Sequence, residues 1–398
     1  MDILEEHPNI WNIMITTPFP YLAILIFLAS SLVYLEAKTK HKFFDYLPAI
    51  VLLYFTVMSL STLGVWEKTD AINSIYKDFK SNLLPAMIFL MLLQSDIRKI
   101  LKLGKKILLT FFLASLSISL GFIVMFALLH HFFEPDAWKA FGALSGSWMG
   151  GTGNMVAIQS ALNLPDSKMG YVLLIDSIDY AIWVMILLAL VPFATKFNHW
   201  TKADGTVLKT LGETLNRSKE EQPINFPSLF MLLGVALIVS VTAQQLAPYL
   251  PSTSFLTNTT WIVIIATSFG ILLGMTPLSK EASAAPLANI MLYLIVALIA
   301  SRANFTELTH APLYIIAGFM ILAIHLLIMV IFAKLFKIDL FSLGVASLAN
   351  IGGVASAPIL AGAYNKALIP IGVLMAMMGY IVGTFMGLGI AKILELIA

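Results

Sequence analysis

The sequence predicts an all-α, polytopic integral membrane protein with two inverted repeats of about five transmembrane helices, each with a glycine-interrupted re-entrant or broken helix. Three observations support this fold class. Hydrophobic residues make up 59% of the 398 positions and charged residues only 12%, whereas soluble domains are about one quarter charged. Apolar runs long enough to cross a bilayer recur along the whole chain. Two glycine-rich segments also lie at matching places in the two halves.

Ten apolar stretches have the length of membrane spans. They lie at about 18–36, 46–64, 82–96, 107–130, 169–195, 227–247, 259–274, 284–302, 311–335 and 367–394. Two further segments, 138–162 and 341–363, are apolar but interrupted by glycine and small polar residues. The one long polar stretch suggests three parts: a first transmembrane repeat at 1–195, a cytoplasmic linker at 196–226 and a second transmembrane repeat at 227–398.

The two interrupted segments resemble each other. GALSGSWMGGTGNMVAIQSAL begins at Gly142 and aligns with GVASLANIGGVASAPILAGAY, which begins at Gly344. The pair Gly150–Gly151 then falls opposite Gly352–Gly353. An internal repeat with one interrupted segment in each half is the sequence signature of a secondary transporter.

Positive charge favours a topology in which both interrupted segments re-enter. The loop 96–106 holds five Lys and Arg against one Asp, so we expect it to face the cytoplasm. With ten spans, the cytoplasmic loops then contain 17 of the 24 Lys and Arg residues. If both segments crossed fully, the chain would have twelve spans and two halves of the same orientation, with more basic residues outside. The charge pattern favours re-entrance, and the crossing alternative stays open.

Irregular backbone at membrane depth is tolerated where protein or a water-filled cavity satisfies its polar groups, and such places are usually binding sites. Small polar residues would line that cavity with neutral donors and acceptors. The alternative is that they merely let helices pack closely. The predicted substrate-binding residues are Ser145, Ser147, Gly150, Gly151, Thr152, Gly153 and Asn154 in the first half, with Ser347, Asn350, Gly352, Gly353 and Ser356 in the second.

Ionisable residues inside apolar spans are costly and therefore candidate functional groups. Asp176 and Asp179 are three residues apart and share one helix face. They are the predicted cation-binding residues, for Na⁺ or for an exchanged proton. The alternative is that both carboxylates lie hydrated near the end of the helix. Arg302 is a candidate contact for a substrate carboxylate or an interface anchor. His325 either packs or carries a proton.

The motifs resemble known families. Gly150-Gly151-Thr152-Gly153 resembles the GGxG vertex of the re-entrant loops in bacterial sodium/glutamate and sodium/citrate symporters, whose inverted five-helix repeats bring two such loops together. The second repeat departs from that pattern, because Gly352-Gly353-Val354-Ala355 lacks the last glycine. The stretch 142–180 is more similar to the YjcL-like domain-of-unknown-function family, predicted membrane proteins of bacteria and plastids. That resemblance covers nearly the full chain and implies location and fold but no substrate.

These patterns predict a secondary active transporter of the cell inner (plasma) membrane. It would move a small organic solute, an anion or an amino acid, by alternating access coupled to Na⁺ or H⁺. A channel built on crossed re-entrant loops is the alternative. We expect no enzyme activity and no cofactor, since cysteine is absent and the histidines lack metal-type spacing. A net charge of +2 gives no reason to expect a nucleic-acid partner. The chain could form a homodimer.

Overall fold

The computed structural model describes residues 14–39, 43–203, 223–253, 255–305 and 311–398, and these residues are almost entirely helical. Short helices at Phe43–Tyr46 and Ile97–Leu101 lie in connections. Apart from short 3-10 turns, the other helices of the described residues are, in chain order, α1 (Pro18–Thr39), α2 (Ala49–Thr62), α3 (Asp70–Leu93), α4 (Lys105–Leu129), α5 (Ala137–Gly150), α6 (Thr152–Ala161), α7 (Met169–Leu190), α8 (Ala194–Thr201), α9 (Phe226–Leu246), α10 (Asn258–Gly274), α11 (Ala284–Ala300), α12 (Ala311–Phe336), α13 (Leu340–Ile351), α14 (Gly353–Tyr364) and α15 (Ile369–Ile397).

Six helical stretches within the described residues are long and apolar enough to cross a membrane, and they contain α1, α4, α7, α9, α12 and α15. α2, α10 and α11 are apolar but shorter. Large apolar side chains such as Phe27 on α1 and Ile238 on α9 are exposed on the surface of the fold. Such a surface is suited to lipid, and the protein is a membrane-embedded helical protein.

Helix α3 begins twelve residues before the apolar stretch predicted at 82–96. Its first half reads DAINSIYKDFKS and is polar, but Thr69 caps the helix by accepting a hydrogen bond from the backbone N–H of Ile72. Ile72 and Tyr76 are buried on the inner face of this polar half. Because hydropathy averages over all faces of a helix, the polar outer face concealed this extension.

The order of the elements repeats. Two long helices, α3 and α4, precede the helix pair α5–α6, and α7 follows it; α11, α12, the pair α13–α14 and α15 follow the same order. α1 and α2 correspond to α9 and α10 at the start of each half. The alignment of the two glycine pairs therefore coincides with a repeat of helical elements.

The helices sort into two groups by their packing. α1, α2, α3, α9, α10 and α11 pack mainly on one another and form what we call the scaffold bundle. α4, α5, α6, α7, α12, α13, α14 and α15 form a second group, which we call the hairpin bundle. Each group takes matching elements from both halves of the chain, so the two halves are interleaved rather than side by side.

The linker predicted at 196–226 is described only at its two ends. Its first residues belong to α8, and Asn198 Oδ1 accepts the backbone N–H of Leu340 at 2.8 Å. Asn225 caps the start of α9 by accepting the N–H of Ser228 at 2.9 Å. The remainder of the predicted linker, 204–222, lies outside the described residues.

Candidate functional site

The first interrupted segment is a helical hairpin, α5–α6, called hairpin 1 below. The two helices run antiparallel, since Gly146 packs against Ile158, and Gly142, farther from the turn, packs against Leu162. The turn is at Gly151, whose φ of +79° is a conformation that favours glycine. Asn154 holds the turn by donating from Nδ2 to the carbonyl oxygen of Gly150 at 2.6 Å.

The second interrupted segment is also a hairpin, α13–α14, called hairpin 2. Gly344 packs against Leu360, and the rings of Phe341 and Tyr364 lie 5.5 Å apart where the two helices diverge. The turn residue is Gly353, with a φ of +58°. The second glycine of each aligned pair thus takes the left-handed conformation. The missing last glycine of the GGxG pattern does not prevent the turn, because Ala355 is exposed and has room for its methyl group.

The tips of both hairpins meet at the middle of α15. A Cβ atom at Gly379 would lie 3.1 Å from the carbonyl oxygen of Met149 and 3.2 Å from that of Ala349, the ends of α5 and α13. One turn later, Gly383 packs directly on Gly150, where a Cβ atom would come within 2.7 Å of the Gly150 Cα. Glycine at these positions lets α15 approach two half-helix ends at once.

A cavity of about 360 Å³ lies beside the two tips. Hairpin 1 contributes Ser147 and the turn residues Gly151, Thr152 and Gly153, and hairpin 2 contributes 351–355. The other walls come from α7, from α15 and from the scaffold helices. Their polar lining residues are Asp176, Ser177, Tyr180, Asn289, Tyr293, Tyr380 and Glu36. This volume suits a small organic molecule.

Asp176 is the acidic group that α7 presents to the cavity. Ser147 Oγ donates a hydrogen bond to its Oδ1 at 2.9 Å, which ties hairpin 1 to α7. Glu36, on α1 of the scaffold bundle, also lines the cavity and accepts the backbone N–H of Ala49 at 3.1 Å. None of the described residues that line the cavity is Lys, Arg or His.

Asp179 does not reach this cavity, although the sequence pairs it with Asp176. Its side chain is fully buried against α12, so that a Cβ atom at Gly318 would overlap its Oδ2. Neither carboxylate oxygen has a hydrogen-bond partner among the described residues. Positions three apart on a helix differ by about 60° in direction, which is enough to turn one carboxylate to the cavity and the other to a neighbouring helix.

Several predicted lining residues lie in helix packing instead. Ser145 Oγ donates to the carbonyl oxygen of Gly142 within α5. Asn350 Oδ1 accepts from Ser115 on α4 at 2.7 Å. Asn154 Oδ1 accepts from the Thr384 hydroxyl of α15, and Ser356 is buried against Gly352. Gly150, as described above, contacts α15. These residues shape the hairpins rather than the cavity wall.

Ser347 belongs to a buried network around His325. On one side of the imidazole, Ser117 Oγ donates to the Ala114 carbonyl oxygen and lies 2.7 Å from His325 Nδ1. On the other side, Ser347 Oγ accepts the Trp183 indole N–H and lies 2.8 Å from His325 Nε2. All these groups are satisfied when neutral His325 donates from Nδ1 and accepts the Ser347 hydroxyl at Nε2. The network joins hairpin 2 to α4, α7 and α12. This arrangement fits the packing interpretation of His325.

Arg302 lies outside the cavity between the hairpin tips. It lines a separate cavity of about 310 Å³ with Asn73, Tyr76, Lys77, Asp166 and Ser167. Its NH1 donates to Asn73 Oδ1 at 2.5 Å, and its guanidinium carbon lies 4.4 Å from the centre of the Tyr76 ring. The structure therefore does not bring Arg302 together with the other predicted substrate residues.

Asp166, which follows hairpin 1, is the centre of the contacts around this second cavity. Its Oδ1 accepts from Lys80 Nζ and from Gln159 Nε2, both at 2.7 Å, and its Oδ2 accepts from the Tyr76 hydroxyl. The Asp166 cluster, defined as these four residues, connects hairpin 1 to α3 of the scaffold bundle. Sequence reasoning missed it because its members come from two distant segments, neither of which has a recognisable motif.

Sequence reasoning also missed the tyrosines and Glu36 of the main cavity. Tyr180, Tyr293 and Tyr380 all lie in apolar helices. A lone tyrosine in such a helix usually packs against neighbouring helices, so it gives no signal of a site. Glu36 gave a usable signal, since it is an acidic residue at the end of an apolar span. The same position is also typical of a hydrated helix end, so this signal alone does not single out Glu36 as a cavity residue.

Comparison with known proteins finds a similar membrane protein and a matching family profile. It is 26% identical over 331 residues to the uncharacterized membrane protein YjcL of Bacillus subtilis (strain 168), an alignment that covers 79% of this chain and 82% of the relative. The profile of a family described as protein of unknown function (DUF819) matches residues 23–397. The chain, a membrane-embedded bundle with two glycine-tipped hairpins, belongs to the DUF819 family.

Proposed function

We propose that this protein is a secondary active transporter that moves a small organic solute by alternating access. The observation that carries the proposal is the cavity at which two hairpin tips meet beside the Asp176 carboxylate, between two separately packed bundles. Transporters with repeated halves bind their substrates at such broken helices near the bilayer midplane. The protein would act in the inner (plasma) membrane, without enzyme activity and with Na⁺ or H⁺ as the coupling ion.

We further propose that both hairpins are re-entrant and that the repeats are inverted. Support comes from the contacts along α15. The beginning of α5 contacts the C-terminal part of α15 through Gly142 and Ala391, whereas α14 contacts its N-terminal part through Ala357 and Gly372. The open ends of the two hairpins therefore lie toward opposite ends of α15. That relation is expected when the two halves have opposite orientations in the membrane.

In the proposed orientation, with the loop 96–106 in the cytoplasm, the main cavity faces inward. Glu36, Pro48 and Asn289 lie close to helix ends on that side. The two hairpin tips also differ in how closely they pack on the scaffold bundle. Gly153 of hairpin 1 packs tightly on Met91 of the scaffold bundle, whereas Val354 and Ala355 of hairpin 2 are exposed in the cavity. Hairpin 1 would thus close the outer side.

Alternating access would then follow from movement of the hairpin bundle relative to the scaffold bundle. Contacts within each bundle are far more extensive than those between them, so the two can move as units at a smaller cost than internal rearrangement. A channel on crossed hairpins is the second candidate. In a channel the cavity would connect to both sides at the same time.

The absence of cysteine allows a direct test by single-cysteine labelling. Val354→Cys places the sole thiol in the cavity, and a membrane-impermeant maleimide is applied to either face of oriented vesicles. We expect labelling from the cytoplasmic face and, more slowly, from the outer face, because each molecule visits both states. Leu101→Cys and Leu63→Cys, both at exposed positions in connections between helices, serve as cytoplasmic and outer controls.

Labelling of Val354→Cys from one face alone, at every time and temperature tested, would exclude alternating access. Rapid labelling from both faces together with single-channel conductance in planar bilayers would favour the channel.

A further inference from the structure

The charge of the main cavity indicates what kind of solute it holds. Asp176 and Glu36 both line it, and none of the described lining residues carries a positive charge. The half-helix ends at the tips do not reverse this balance. Two N-termini, of α6 and α14, and two C-termini, of α5 and α13, come together there, and their opposite partial charges largely cancel. The side chains therefore determine the sign of the electrostatic potential.

The remaining lining favours an organic cation over a metal ion. Tyr180, Tyr293 and Tyr380 line the cavity together with Asp176, and aromatic rings attract ammonium groups through their faces. A cavity of about 360 Å³ is far larger than one dehydrated metal ion needs. Within the described part of the chain, no group of three or more His, Cys, Asp or Glu side chains could hold a metal.

The Asp176 carboxylate also has acceptor positions available for an ammonium group. Ser147 donates one hydrogen bond to its Oδ1, and the Lys and Arg ion pairs found among the described residues involve other carboxylates. A carboxylate has about four acceptor positions, so most of its capacity can face the cavity. A charge left unpaired at this depth is costly, and a cationic ligand would offset that cost.

We propose that the transported solute carries an ammonium group and that Asp176 is its counter-ion in the cavity. This inference rests on the proposed transport function and narrows its substrate class. A simple organic anion is disfavoured, since it would meet two carboxylates and no basic partner. An amino acid remains compatible, because it carries an ammonium group.

Ligand-dependent thermal stability of the purified, detergent-solubilised protein tests the proposal. The probes are alkylammonium ions from ethyl to hexyl, choline and tetraethylammonium, each compared with the alcohol and the carboxylate of matched size. A ligand that binds the folded state raises the unfolding midpoint in a saturable way. We expect at least one ammonium ion to do so, with at least ten-fold weaker binding of its alcohol and carboxylate partners.

Variants then locate the site. Asp176→Asn should abolish the response to ammonium ions, and Asp176→Glu, which keeps the charge, should retain part of it. Asp78→Asn removes a carboxylate from an exposed position on α3 and serves as the matched control, with the full response expected. The same ammonium ion should also slow maleimide labelling of Val354→Cys, which provides a second measurement if Asp176→Asn does not fold.

Stabilisation by carboxylates but not by ammonium ions, an unchanged response in Asp176→Asn, or no response to any ammonium ion would overturn the proposal. Each of these results is separable from failure of the transport function. If Val354→Cys is still labelled from the cytoplasmic face and more slowly from the outer face, without single-channel conductance, the transporter stands and only the substrate class is wrong.

Discussion

At the scale of single residues, Asp176 and Asp179 show how one helical turn separates two chemical environments. Asp176 faces the cavity and accepts from Ser147, whereas Asp179 is sealed against Gly318 without a hydrogen-bond partner among the described residues. Asp176 is therefore accessible to a ligand in the cavity, whereas Asp179 is enclosed by protein in the conformation described.

Asp96 gives a residue-scale prediction outside the membrane spans. Its carboxylate accepts the backbone N–H of Arg98 at the start of a short helix and pairs with the Arg98 guanidinium through two contacts of 2.9 Å. These hydrogen bonds, together with the charge of Arg98, hold the pKa of Asp96 below its usual range. At pH 7 we expect Asp96→Ala to lower the free energy of unfolding by about 1–2 kcal/mol, as for loss of a helix cap.

The pH dependence of this effect has a definite sign. A lowered pKa in the folded state means that the stabilisation is present above the unfolded pKa, near 3.8, and is lost as pH falls through the folded value. Thermal unfolding midpoints of Asp96→Ala and the wild type should therefore converge below about pH 4. Asp136→Asn, which removes the exposed carboxylate of an ion pair with Lys139, is the control and should change little at any pH. A constant difference down to pH 3 would contradict this account.

At the scale of elements, α15 is the helix on which both hairpins depend. Gly379 and Gly383 contact the ends of α5 and α13, and Gly387 packs on Gly146. Glycine in the middle of a helix usually costs about 1 kcal/mol relative to alanine. The positions that face the hairpins therefore keep glycine for close approach, at the expense of helix propensity.

We predict opposite effects for two glycine substitutions on this helix. Gly383→Ala would place a methyl group 2.7 Å from the Gly150 Cα and should destabilise the protein by about 1–3 kcal/mol, since backbone must move. Gly389→Ala meets no atom within 4 Å and should be neutral or slightly stabilising, by up to about 1 kcal/mol. Thermal unfolding of both variants under identical conditions tests the contrast. Equal midpoints would mean that α15 and hairpin 1 are not in close contact.

At the scale of the whole molecule, the Asp166 cluster links the two bundles. Asp166 and Gln159 belong to the segment of hairpin 1, and Tyr76 and Lys80 to the scaffold bundle. The Tyr54 hydroxyl adds a bond of 3.4 Å to the Asp166 backbone carbonyl. If the bundles move relative to each other, the bonds from Tyr76, Lys80 and Tyr54 to Asp166 must break in every cycle, so they stabilise the conformation described here.

Removing this link should shift the conformational equilibrium. We predict that Asp166→Ala in the Val354→Cys background raises the rate of maleimide labelling from the outer face by about ten-fold or more, because hydrogen bonds to a charged group contribute about 1.5–3 kcal/mol. Glu395→Ala removes a carboxylate whose partner Lys392 lies on the same helix, and it should leave the rate unchanged. A rate for Asp166→Ala equal to that of the control would show that the cluster does not hold the outer side closed.

Much of the fold was predictable from the sequence because its signals are local. Apolar stretches gave the positions of the ten main helices, and the aligned glycine pairs located both interruptions, where Gly151 and Gly353 make the turns. The site was less predictable. Ser147, Asp176 and the turn residues of both hairpins do line one cavity, whereas Arg302 and Asp179 lie elsewhere. Spacing along a helix gives the relative directions of its side chains, but it does not show which neighbouring helix or cavity lies in each direction.

The sequence by itself determined that this is a helical membrane protein with a repeated, glycine-interrupted element, since composition and periodicity depend on the solvent and on the backbone alone. Only the tertiary structure decided which carboxylate faces the cavity, that Glu36 and three tyrosines share it, and that Asp166 joins the two bundles. These features unite residues that are far apart in the chain. Their meeting depends on how the helices pack, which no local pattern encodes.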